Sequence, residues 1–232
     1  MQRLQYYYQT FLAKLKNFDG IPALLIRLYL APVFIMAGFS KTQLLNEEVT
    51  GFSAFMADPN IIAWFGNSDW GLGLPFPALL ANLVILVEFF GGWLLLVGAL
   101  TRLISIPLMF TMIVAATSVH AENGWFAITP TNSDISPAKV ATWLGIDSAQ
   151  ASLDNSEQTA TRLEKMRELI EENGNTDWLY EKGNIVVLNN GIEFSTTYFI
   201  MLLSLFFIGA GRYTSVDHFV ANRFLIEEKR FS

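Results

Sequence analysis

Four apolar runs, each long enough to cross a lipid bilayer, constrain this chain more than any other feature: residues 21–41, 76–100, 103–120 and 192–210. Crossing the hydrocarbon core takes about 20 mostly apolar residues, and in lipid the backbone must satisfy its own hydrogen bonds, so each run reads as a helix. Pro32 and Pro107 are compatible with this, because neighbouring helices can satisfy the carbonyls they free. Composition agrees. Of 232 residues, 52% are hydrophobic and only 16% charged, against roughly 25% charged in soluble domains. The fold class expected is an all-α integral membrane protein, a four-transmembrane-helix bundle forming a single domain over 1–232.

Two further pieces attach to this bundle. Leu4, Tyr8, Phe11, Leu12, Leu15 and Phe18 recur at helical spacing, with Gln9, Lys14 and Lys16 off that face. This predicts an N-terminal amphipathic helix lying on the membrane surface. The stretch lacks the apolar centre of a cleavable signal. Between the third and fourth runs, residues 121–191 form a polar insert that is partly helical. Within it, Ser136-Pro137 caps a short helix holding Val140, Trp143 and Leu144. A longer helix is expected to start at Asn155 or Ser156, to bury a stripe of Leu163, Met166, Leu169 and Ile170, and to stop at Gly174. With no basic or aromatic bias on its exposed face, the insert is expected to pack on the bundle mouth. Glycines 91 and 92 would admit a close neighbouring helix. The stretch from Trp64 to Pro77 reads as a turn-rich approach to the second run.

Lysine and arginine placement sets the orientation. Arg3, Lys14, Lys16, Arg102, Arg212, Arg223, Lys229 and Arg230 gather on one side, while residues 42–75 contain acids and no Lys or Arg. The positive-inside rule then places both termini in the cytoplasm, and helix parity makes the insert extracytoplasmic.

Several chemistries drop out. A net charge of −6 lacks the cationic footprint of nucleic-acid binding. With no cysteine, thiolate metal sites and disulfide relays are excluded. The two histidines, His120 and His218, stand at opposite ends of the bundle and cannot share a haem. Met109, Met112 and His120 hold the soft ligands a cuprous ion takes. Methionines three apart on a membrane helix are more often packing residues, so no metal site is assigned.

Ionisable residues inside spans cost about 2.5–3.5 kcal/mol each on insertion scales, which makes them candidates for function. Glu88 falls near the middle of the second run. Arg27 falls within an arginine's reach of that depth if the span centres are level, so a Glu88–Arg27 pair is expected, either as a working site or as a structural clamp. A second group, Lys41, His120, Asn190 and Glu193, is expected at one level of the outer mouth. It could bind a polar headgroup, relay a proton, or simply snorkel to water.

The sequence resembles the DoxX family of small four-helix membrane proteins. The resemblance rests on Arg27-Leu28 and Gly38-Phe39-Ser40-Lys41 in the first run, and on Glu88, Gly91-Gly92 and Gly98-Ala99-Leu100-Thr101-Arg102 in the second. Val119-His120 with Asn123-Gly124 follows in the third, then Glu193, Gly209-Ala210-Gly211-Arg212-Tyr213 and Asp217. Within the family it is similar to the HvfX-like branch in Trp64-Phe65-Gly66-Asn67, Asp69 to Pro77, Asn189-Asn190-Gly191-Ile192-Glu193 and the long insert. That resemblance implies an accessory role in maturation of a copper-binding ribosomally made peptide, beside soluble maturation enzymes. Relatives linked to thiosulfate:quinone oxidoreductase imply a quinone as the redox cofactor, with Arg27, Lys41 or His120 donating to its carbonyls. Whether the chain is itself an enzyme stays open. So do two other classes: a transporter or export partner for a peptide or small solute, which four spans would favour as a homo-oligomer, and a non-catalytic anchor for a soluble enzyme.

Overall fold

The computed structural model describes residues 2–15 and 18–231, with side chains at 3–11, 14–15 and 18–223. Lys16 and the side chains of Leu12, Lys229 and Arg230 lie outside the described residues. The longer helices are α1 (Gln2–Leu15), α2 (Gly20–Phe39), α3 (Pro59–Gly66), α4 (Pro77–Val97), α5 (Thr101–Asn123), α6 (Ala138–Trp143), α7 (Ser148–Asn173), α8 (Glu193–Ile208) and α9 (Val216–Phe231). Among the described residues no strand forms; Thr42 with Ala57 and Ile128 with Leu188 make isolated bridges.

Three helices, α2, α4 and α5, are long and apolar enough to cross a membrane. Only 33%, 33% and 17% of their apolar windows are buried within the protein, so most of that apolar surface needs a hydrocarbon solvent. The fourth run behaves differently. Its helix has 16 residues, about 24 Å at ~1.5 Å each, against a hydrocarbon core of about 30 Å. The ends of the run are spent elsewhere: the residues before Glu193 pair as extended chain, and Gly209 ends the helix with φ +82°. Of the four expected spans, three thus meet the length and apolarity of a membrane span among the described residues, and the fourth run forms a shorter apolar helix.

The chain divides into two units. One holds the residues up to Ile113 and from Thr197 onward; the other holds Val114–Thr196.

In the first unit α2 and α4 run antiparallel at close range. A Cβ on Gly38 would lie 2.4 Å from the Phe89 nitrogen, and one on Gly92 would lie 2.8 Å from that of Ile35. Small residues let two backbones approach this closely. Leu30, Ala31 and Phe34 of α2, Leu95 of α4, Leu108 of α5, and Leu202 and Leu205 of α8 are buried in this unit. Ahead of the turns at residues 67–76, α3 starts at Pro59, with Asp58 accepting from the Asn60 N–H at 2.7 Å as N-cap. Phe65 of α3 packs with Ala57, Ala81 and Ile85. After α3, Asn67 Oδ1 accepts from the backbone of Asp69 and Trp70, folding the chain back so that Leu72 and Leu74 bond the carbonyls of Trp64 and Phe65. The α4–α5 turn is Gly98 to Leu100, and Thr101 already begins α5. Thr101-Arg102 is thus helical, and the connection lies just before it.

In the second unit, Asn189 to Glu193 pair with Gly124 to Ala127 through backbone bonds of 2.9–3.0 Å. Phe126 packs there on Ala138, Ala149 and Leu153. The Ser136 hydroxyl accepts from the Ala138 N–H at the start of α6, as expected. The longer helix starts at Ser148, well before Asn155. Its buried face is Ala149, Leu153, Ser156, Thr159 and Leu163, whereas Met166 and Leu169 are exposed. Polar Ser156 and Thr159 hide in this face because small hydroxyls can bond back to their own helix, as Ser156 does to the Ser152 carbonyl; a reading by hydrophobicity passes over them. Gly174 does end α7, in an extended conformation rather than a left-handed one. The insert's exposed residues include Trp143 and Trp178.

Candidate functional site

Glu88 is 5% exposed and sits on a π-helical stretch, Leu86–Phe90, in the middle of α4. Such wide turns arise at functional sites more often than elsewhere. Its Oε2 accepts from Lys41 Nζ at 2.6 Å, and Lys41 also donates to the Ala37 carbonyl at 2.9 Å. Lys41 follows the end of α2 and bends back along its own helix, so its ammonium points inward instead of snorkelling towards water. Only 22% of its side chain and 7% of that of Glu88 are exposed. Two opposite charges in a poorly screened setting can stay ionised only by holding each other, and that is what this geometry does.

Arg27 does not join Glu88, which corrects the pairing expected from sequence. Gly38 against Phe89 and Gly92 against Ile35 fix a register in which facing residue numbers add to 127. Glu88 therefore faces Phe39, two residues from Lys41, while Arg27 lies twelve residues away, about 18 Å at ~1.5 Å per residue. Levelling the span centres failed because close glycine contacts set the register.

Arg27 is fully buried and reads as a clamp on the α4–α5 turn. Its Nη1 donates to the carbonyls of Leu95 and Leu96 at 3.3 Å, and its Nη2 donates to the Thr214 carbonyl at 2.9 Å. Leu95 and Leu96 belong to the last turn of α4, whose carbonyls have no helical partner and carry the negative end of the dipole. Across the turn, Asp217 accepts from the N–H of Leu100 at 2.7 Å and of Thr101 at 2.9 Å, capping the start of α5. The cation thus bonds the C-terminus of α4 and the anion the N-terminus of α5, each at the helix end whose dipole it offsets. Sequence reading missed Thr214 and the capping role of Asp217; the one available signal was an acid placed among apolar residues just after a Gly-Ala-Gly turn.

The outer-mouth group divides between the two units. Lys41 belongs to the first, with Glu88. In the second, His120, on a π-helical stretch Ala115–His120, shares its Nδ1 with the Asn190 carbonyl at 2.9 Å. Asn190 adopts φ +58°, and its carbonyl also accepts from Asn123. Glu193 accepts from the Ala127 N–H at 2.9 Å. These side chains pin the 189–193 segment to the end of α5. Among the described residues, no three His, Asp or Glu side chains gather to hold a metal ion, and Met112 of the copper set is buried as a packing residue is.

Apolar helices with mostly unburied apolar faces, a charge pair closed on itself and a capped hairpin define a helical protein of the lipid bilayer. Residues 23–121 match the family model described as DoxX, so that this stretch is similar to the DoxX family. The matched stretch contains Arg27, Lys41, Glu88 and His120 but ends before Asn190 and Glu193. No curated protein and no solved structure matches the chain.

Proposed function

We propose that this chain is an accessory protein of the bacterial inner membrane that supports maturation of a copper-binding ribosomally made peptide by quinone-linked redox chemistry. The observation that carries the reading is the Lys41–Glu88 pair, buried on a wide turn of α4. The clamp at Arg27 accounts for a structural charge, whereas the Lys41–Glu88 pair sets a buried carboxylate of α4 against an ammonium from the end of α2. The resemblance of Trp64 to Pro77 and of Asn189 to Glu193 to the HvfX-like branch supports the peptide-maturation context. Cytoplasmic placement of both termini requires the shorter apolar helix α8 to cross as a fourth span, and it is supported by the basic residues at Arg3, Lys14, Arg102, Arg212 and Arg223, set against the acidic 42–75 region.

The residues present fit a quinone. Lys41 Nζ has three N–H groups, of which Glu88 and the Ala37 carbonyl take two, leaving one for a carbonyl oxygen. Arg27 is the poorer donor, because both of its Nη groups are held by backbone carbonyls and only the buried Nε–H is left unpaired. When bound, a quinone supplies two-electron, two-proton chemistry; Glu88 is the group that would hold a proton beside it. The test is to purify the full chain in mild detergent and extract its lipids and cofactors. A quinone retained by the wild type and lost from Lys41→Met supports the reading. Its absence from the wild type removes the redox role.

A further inference from the structure

The second unit contains a cavity of about 680 Å³ that the charge pair and the clamp do not use. Its lining is small and apolar, including Ala116, Ala121, Ala138, Ala141, Ile146 and Ile192. The only side-chain polar atoms besides the Trp125 ring nitrogen are the hydroxyls of Thr117, Ser148 and Ser152. No charged residue lines it, so a carboxylate, phosphate or ammonium would lose its hydration there without a partner. A neutral hydrocarbon group would not. The volume lies within the roughly 300–1,000 Å³ typical of small-molecule sites.

One wall tells where such a group comes from. Ala116, Thr117 and Ala121 belong to α5, a helix long and apolar enough to cross the membrane. Ala116 stands seven residues, about 10 Å at ~1.5 Å each, from the Asn123 end of that helix. The 23 residues of α5 exceed a hydrocarbon core of about 30 Å by only a few ångströms, so Ala116 lies at the depth of acyl chains. The opposite wall comes from α6 and the start of α7. Beside it Val140, Trp143 and Leu144 are exposed by 51%, 74% and 75%, apolar and aromatic surface suited to the membrane–water boundary. We propose that this cavity holds one acyl chain of a phospholipid from the leaflet the insert faces, seating the insert on the bilayer. The proposal does not depend on the redox reading.

The experiment uses the full chain, delipidated in mild detergent and titrated with a phospholipid brominated on its acyl chain, which quenches nearby tryptophan. Trp125 lines the cavity. The expected result is a saturable quenching step at one lipid per chain, absent from Trp125→Phe and weakened about tenfold in affinity in Ala141→Phe and Ala116→Phe. If a filled variant does not fold, the comparison of wild type with Trp125→Phe decides alone. No saturable step, or a step unchanged in Trp125→Phe, overturns the proposal. So does an isoprenoid quinone or a peptide, in place of a phospholipid, as the molecule that co-purifies with the wild type and is lost on filling the cavity.

Discussion

Arg27 and Lys41 are cations of one helical segment with opposite solutions to the same problem of burial. Arg27 spreads its charge over backbone carbonyls through a planar fork, a geometry that a lysine ammonium cannot reproduce at three separate acceptors. Arg27→Lys should therefore lower thermal stability in detergent by about 2 kcal/mol, since hydrogen bonds to charged groups contribute about 1.5–3 kcal/mol each and a single ammonium retains only some of them. Lys41 is held by a carboxylate instead. Removing one partner leaves the other buried and uncompensated, so Glu88→Leu or Lys41→Met should each cost about 3 kcal/mol, while the double variant should recover most of the loss. A double-mutant cycle on detergent melts measures this; simple additivity would show that the pair carries no coupling. Both residues were legible in sequence as charges in apolar surroundings. Their partners were not, because pairing depends on helix register, which Gly38 and Gly92 set in three dimensions.

At the scale of elements, the α4–α5 turn joins these residues to the fold. Gly98 has φ +69°, and a Cβ there would come 2.1 Å from Arg27 Nη1 and 2.6 Å from Ser215 Cβ. Gly98→Ala should thus destabilise the protein by more than the ~1 kcal/mol of a left-handed alanine alone, because the clamp must also shift; a melt lowered no further than by Asp217→Asn would contradict this. Three spans were readable from hydropathy, since length and apolarity decide them. The shortness of α8 was not, because the Ile192 N–H is spent on the Gly124 carbonyl and Gly209 turns out of the helix at φ +82°. The helix α9 was also missed: its mixed polar sequence has no long apolar run. The start of α7 was misplaced for a similar reason, since its first turns bury alanine and serine.

For the whole molecule, the decisive physical quantity is apolar surface left uncovered by protein on α2, α4 and α5. The chain should stay with the membrane fraction after alkaline carbonate washing and need detergent for extraction; recovery in the supernatant would contradict the membrane assignment. What hydropathy cannot convey is how a span of unchanged length and greasiness can present a different face. The wide turn at Leu86–Phe90 is such a device. It shifts the phase of everything beyond it by about one residue, close to 100° of rotation on a 3.6-residue helix. Deleting Val87 would let that turn relax to ordinary pitch, and the shortened segment would still insert. Yet its carboxylate would swing off the seam that Lys41 reaches, so such a variant should be made and inserted normally while its melt resembles that of Glu88→Leu.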